Sequence, residues 1–268
     1  MKWANSRRDE SFVRGHIMCN RYDLIVSMGG NCSVAHNLRL RGLRPVSLPF
    51  DWVYLVDERP LRFWIEEAGC GFPNLLKREN LIEVKPGDKE YAATHADCRQ
   101  YIDLASGYRF VNHFHQTIEV PGEYEAVFAS IRRRANRLVS AFAQGGRFLL
   151  VLATPVAIPV DVLRTLLEVL SKSYGESQFD LRYLHFEQAQ DSAPQDFGGG
   201  LVVQNIQRKL NDYDFHKTNW ELSWLDELEV GVKSKRKSRH KVSFRIWPKI
   251  DCIISFKRKE TKARISDE

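Results

Sequence analysis

The first strong pattern in the chain is YDLIVSM, Tyr22 to Met28, a short apolar run bounded by glycines whose length and flanks predict a buried strand. Gly29 and Gly30 end it. Asn31 is a good N-cap residue, and Val34, Ala35 and Leu38 follow at helical spacing until Gly42. The reading is strand, elbow, helix, with Cys32 as the first helical residue. After the proline-punctuated loop RPVSLPFDW, a second helix is predicted from its start signals. Asp57 is a cap, Pro60 lies in the first turn, and Val56 can staple against Leu61. Trp64, Ile65 and Ala68 continue its buried face to Gly69. Residues 70–107 carry no sustained period and predict only short helical pieces.

From Tyr108 the string YRFVNHFHQTI alternates polar and apolar residues, which predicts a strand carrying His113 and His115 on one face. Tyr124, Val127, Phe128, Ile131, Ala135, Leu138 and Phe142 then recur at the helical period. Arg132, Arg133, Arg134 and Arg137 fall elsewhere on that helix and read as a solvated face. Gly145 and Gly146 stop the helix, RFLLVLAT reads as another buried strand, and Val160 to Leu170 as another amphipathic helix. FDLRYLHFE and GLVVQNI follow as further strands. Strands alternating with helices of this length predict an α/β fold with a largely parallel central sheet flanked by helices. Residues 1–20 read as an N-terminal arm, 21–230 as a single domain, and 231–268 as an extension.

Length and charge sharpen this picture. At 268 residues the chain suits one large domain with a sizeable core. Its longest apolar run, Phe148 to Val160, falls short of the roughly 20 residues of a membrane-spanning helix. No apolar stretch follows the charged start, as a secretory signal would require, so a cytoplasmic location is expected. Five cysteines, Cys19, Cys32, Cys70, Cys98 and Cys252, are an odd number at scattered spacings, which fits reduced thiols. His95 and Cys98 share an HADC string, yet no second pair lies at ligand spacing, so neither metal nor cofactor is expected. The net charge of +6 is uneven: residues 231–268 hold 13 Lys or Arg against 4 Asp or Glu, leaving the body at −3. Specific nucleic-acid binding is therefore not expected of the body. The cluster KSKRKSRHK is able to touch anionic polymers or lipid head groups, and otherwise reads as a solvated extension.

The chemistry converges on Cys32. In parallel α/β sheets, ligands bind outside the carboxyl ends of the strands, where helix N-termini meet the sheet. A cysteine there is held toward the thiolate by the helix dipole and by unpaired amides. Gly29, Gly30 and Asn31 are the candidate donors to an oxyanion. A nucleophilic cysteine needs a base, and His113 and His115 are the candidates, with His36 and His185 less favoured. Asp51, in the PFDW string, and Asp214, in NDYDFHKTNW, are the candidates for the group that orients the imidazole.

Ser27 to Tyr54, SMGGNCSVAHNLRLRGLRPVSLPFDWVY, resembles the signature block of a bacterial family, a domain of unknown function described as papain-like cysteine peptidases. The matching features are the Gly-x-x-Cys turn at Gly29 to Cys32, Leu38 and Arg39, Gly42 to Arg44, and Pro49 to Trp52. FVNHFH with its following arginine-rich helix, and NWELSWLDEL, are weaker matches. The family usually reads His-Asp-Phe where this chain has His113, Phe114 and His115. The resemblance covers roughly residues 22–230. It implies a cysteine nucleophile, a histidine base and a peptide, amide or ester substrate cleaved through a thioester, with a papain-like α+β layout as the alternative fold. An acyltransferase with the same Cys-His chemistry and a non-catalytic binding domain are the competing functions.

Overall fold

The structure, a computed structural model, describes residues 21–30, 32–55, 57–92, 95–187, 192–207, 225 and 228–230. The expected N-terminal arm, the basic extension, Asn31, Val56, Asp214 and most of the NWELSWLDEL block lie outside them.

Strand β1 (Arg21–Tyr22) leads into β2 (Leu24–Ser27), which ends at the two glycines, and α1 (Ser33–Leu40) follows. The chain then leaves the first strand for a long excursion. It runs through β3 (Val53–Leu55), α2 (Arg59–Glu67), β4 (Leu81–Val84), β5 (Arg99–Asp103), β6 (Tyr108–Phe114) and α3 (Glu123–Ala143). It returns as β7 (Gly146–Thr154), α4 (Val160–Ser173), β8 (Ser177–Glu187), β9 (Gln195–Asp196) and β10 (Leu201–Gln207), with β11 (Glu229–Val230) last.

The main sheet has the order β2-β7-β8-β10-β9, and all of its pairings except β10 with β9 are parallel. The predicted α/β class with a largely parallel central sheet flanked by helices is what the chain adopts. Both faces of this sheet are dry, which explains the unbroken apolar run of β7. Phe148, Leu150 and Leu152 enter the core with α2, α3 and α4, while Leu149, Val151 and Ala153 meet Val34 and Leu38 of α1 on the other face. A parallel strand buried on two sides has no polar face to show.

A second, antiparallel sheet of order β3-β6-β5-β4 is built from the excursion. Two of its strands, β4 and β5, fall in the region whose sequence predicted only helical pieces. Their outward positions are polar or half-exposed, and β4 is four residues long, so neither shows a period. The arginines of α3 also depart from expectation. Arg132 donates to the Phe72 carbonyl and Arg137 to the Ser47 carbonyl at 2.6 Å, so they fasten two loops rather than only facing water.

No helix among the described residues is long and apolar enough to cross a membrane. A shallow groove of about 400 Å³ runs between α2 and the start of α4, lined by Glu58, Arg62, Ile158 and Thr165 among others, and does not include Cys32.

Candidate active site

The elbow after β2 is held from two sides. The Met28 N–H donates to the Val151 carbonyl of β7 at 2.9 Å, and the Met28 carbonyl accepts from the Tyr108 hydroxyl of β6 at 2.6 Å. Gly29 and Gly30 both have positive φ, 86° and 95°. A side chain on Gly29 would press on the Tyr108 ring and Val53 at 2.9 Å, and one on Gly30 would collide with the Ala153 carbonyl. Glycine is therefore demanded here by backbone conformation and by close approach. The Gly29 N–H reaches Ser27 Oγ at 3.4 Å, so it is turned toward its own strand.

Cys32 follows at the carboxyl end of β2. It occupies the N-cap of α1, one position earlier than predicted, and its carbonyl accepts the first helical bond, from the His36 N–H at 2.9 Å. Its side chain does not cap the helix. Instead Sγ lies 3.5 Å from the Tyr54 hydroxyl of β3 in a hydrogen bond. Tyr54 is opposite Arg109 in the β3–β6 register, and the Arg109 guanidinium stands over the Tyr54 ring, 5.3 Å from its centre. Arg109 is half-buried, and its Nε is buried without a hydrogen-bond partner. Burial draws its basicity below the usual arginine range, against the opposing charges of Tyr54 and Glu90. His95 lies within electrostatic range of Arg109; burial first, and the Arg109 charge with it, holds this imidazole below the ordinary histidine range despite Asp97.

The two histidines expected to serve Cys32 go elsewhere. On β5 two steps separate Arg99 from Tyr101, whereas their partners on β6, Phe114 and Phe110, are four residues apart. The extra residues bulge β6 and break the alternation that would have aligned His113 with His115. The His113 ring meets Phe110 edge-on at 5.2 Å, and its Nδ1 is buried without a hydrogen-bond partner. Burial, with the neighbouring Arg134 charge, pushes its pKa down to about 3, so it is neutral at physiological pH. His115 is exposed past the end of the strand, its N–H on Glu123 Oε1 at 2.6 Å and its Nδ1 3.8 Å from Cys98 Sγ. The described hydrogen bonds bring neither ring to Cys32. His36 instead faces Arg39 on α1, with Nδ1 3.5 Å from the guanidinium.

Asp51 is buried but does not hold an imidazole. Its Oδ2 accepts the Leu48 N–H at 2.7 Å and lies 3.3 Å from Arg44 Nη1, which organises the loop leading into β3. Burial raises its pKa to about 6 in spite of Leu48, Arg44 and Arg134. Burial likewise pushes the Cys98 thiol up. Among the described residues no three His, Cys, Asp or Glu side chains gather at metal-binding distance.

Tyr54 and Arg109 are the site residues that sequence reasoning missed. Their signal was indirect: each is a polar side chain flanked by apolar neighbours, Arg109 on a predicted strand and Tyr54 in a stretch where no strand was expected. Only the pairing of β3 with β6 makes them one unit.

No curated protein and no solved structure matches the chain. A family model does, over residues 23–189, more than half of its length and spanning the elbow, Tyr54, Arg109 and the three strands β2, β7 and β8. The chain belongs to the family described as "Putative papain-like cysteine peptidase (DUF1796)".

Proposed function

We propose that this protein is a thiol hydrolase that cleaves an amide or ester through Cys32. The observation that carries the reading is the position of the sulfur, at the N-cap of α1 on the carboxyl end of a parallel strand, hydrogen-bonded to Tyr54 beneath the Arg109 cation. Helix amides and a nearby cation favour the thiolate over the thiol. In the proposed reaction the thiolate attacks the substrate carbonyl carbon and forms a C–S bond. The tetrahedral oxyanion collapses, the leaving amine or alcohol departs with a proton, and water hydrolyses the remaining thioester. The Tyr54 hydroxyl is suited to donate to the developing negative charge.

A histidine is the base in this reading, and His113 and His115, the candidates from the sequence, stand beside His95 for the role.

The test uses 4-nitrophenyl acetate as an acyl donor. Wild-type protein should release 4-nitrophenolate in a burst and carry an acetyl group on the peptide containing Cys32, and C32S should do neither. Nitrophenolate release unchanged in C32S would overturn the reading. Of H95A, H113A and H115A, one should slow acylation by roughly a hundredfold or more, as loss of a general base does, and three unchanged rates would overturn the Cys-His pairing.

A further inference from the structure

We propose that Arg109 forms a carboxylate-binding subsite beside Cys32, so that the substrate carries a free carboxylate close to the bond that is cleaved. The inference rests on the thiol-hydrolase reading and adds the substrate class.

Its basis is a half-buried arginine that forms no ion pair with a described residue. A guanidinium taken half out of water loses hydration, and proteins normally offset that loss with a paired carboxylate or several acceptors. The Arg109 side chain makes neither a hydrogen bond nor an ion pair with a described residue. Its Nε is buried and unsatisfied, and its guanidinium lies over the Tyr54 ring. Glu90 is within electrostatic range but forms no ion pair with it among the described residues. Other arginines of the fold are treated differently. Arg147 is bound to Asp180 at 2.8 Å, Arg44 lies 3.3 Å from Asp51, and Arg78 reaches Glu119 at 2.9 Å.

The orientation also fits a ligand. The Arg109 guanidinium lies over the Tyr54 ring, 5.3 Å from its centre, and a planar guanidinium suits two-point recognition of a carboxylate. Because Tyr54 touches both Arg109 and Cys32 Sγ, a bound carboxylate would lie a side chain's width from the nucleophile. A peptide whose carboxy-terminal residue is released has this chemistry.

Two alkylating agents of nearly equal size separate the subsite from the thiol. Iodoacetamide is neutral and reads the reactivity of Cys32; iodoacetate is an anion and reads the subsite as well. Labelling of the Cys32 peptide is followed by mass spectrometry, with the exposed Cys70 of the same molecule as internal reference. The iodoacetate-to-iodoacetamide rate ratio at Cys32 should exceed that at Cys70 by roughly tenfold, the effect of a nearby unscreened cation, and should shrink as salt is added. R109Q should bring the two ratios together, while R109K keeps part of the preference. A second readout does not need a reactive thiol. N-acetylglycine should raise the thermal midpoint of wild-type protein and C32S but not of R109Q, whereas N-acetylglycinamide should have no effect. Equal ratios at Cys32 and Cys70, with no stabilisation by N-acetylglycine, would overturn the subsite. Slow labelling of Cys32 by iodoacetamide with stabilisation retained would instead sink the hydrolase reading and leave the subsite standing.

Discussion

At the scale of single residues, two groups that both feel the Arg134 charge titrate in opposite senses. Asp51 binds its proton more tightly when folded, with a pKa of about 6. Between about pH 4 and 6 the folded state therefore holds more protons than the unfolded chain, and stability falls as pH rises through that window. His113 does the reverse. Its folded pKa of about 3 means that the unfolded chain takes up the proton first, so its contribution is full above about pH 6.5 and is lost as pH falls. The two slopes oppose each other across the window they share. Removing one should expose the other: in D51N, stability relative to wild type should improve steadily from pH 4 to pH 7, by up to about 3 kcal/mol for a shift of this size. Urea unfolding at several pH values measures it. The difference in slope is the diagnostic, because the Asn side chain also alters the contacts with Leu48 and Arg44 by an amount that does not follow the titration. A D51N-to-wild-type difference that does not vary with pH would show that Asp51 titrates normally.

At the scale of elements, the elbow makes the sharpest demand on the sequence. A Cβ on Gly30 meets the Ala153 carbonyl, a backbone atom in the middle of the sheet that cannot turn aside, and φ there is 95°. Gly30→Ala should cost more than about 3 kcal/mol, combining backbone strain with displacement of β2 from β7, or should prevent folding altogether. Gly42→Ala is the control, since φ is also positive there, at 71°, while nothing lies within 4 Å of the added atom. Comparable thermal midpoints for the two variants would mean that strain rather than the close approach dominates.

The same elements explain what was readable in advance. β7, α4 and β8 were legible because burial on both faces or on one stripe leaves a strong local signal. Cys32 and its glycines were legible for a related reason, since a strand-to-helix turn is a local event. β4 and β5 were not, because β4 is only four residues long and two of the buried positions of β5 are the polar Gln100 and Asp103. The grouping of Cys32 with Tyr54 and Arg109 depends on register between β3 and β6, strands separated by more than fifty residues, and the bulge in β6 that parts His113 from His115 depends on its pairing with β5. No local pattern encodes either.

At the scale of the whole molecule, the site stands where two sheets of different origin meet, and Tyr108 is one of the side chains that join them. Tyr108 belongs to the antiparallel sheet, yet its hydroxyl donates to the Met28 carbonyl of the elbow and accepts from Trp64 Nε1 of α2 at 3.0 Å. Its ring packs against Phe50, 5.0 Å away, and closes over Gly29. The geometry of Cys32 relative to Tyr54 thus depends on a bond that neither residue makes. Y108F keeps the ring and removes the hydroxyl, leaving a buried carbonyl and a buried indole N–H without their partner. The expected loss is about 1–3 kcal/mol per orphaned group. A smaller lesion placed in α4, Leu170→Val, costs about 1 kcal/mol and lies away from the elbow. If Tyr108 holds the nucleophile in register, Y108F should slow iodoacetamide labelling of Cys32 under native conditions, whereas Leu170→Val should not, even in urea that brings the two variants to equal stability. Equal labelling rates in the matched pair would show that Tyr108 contributes only to stability and that the elbow keeps Cys32 in place unaided.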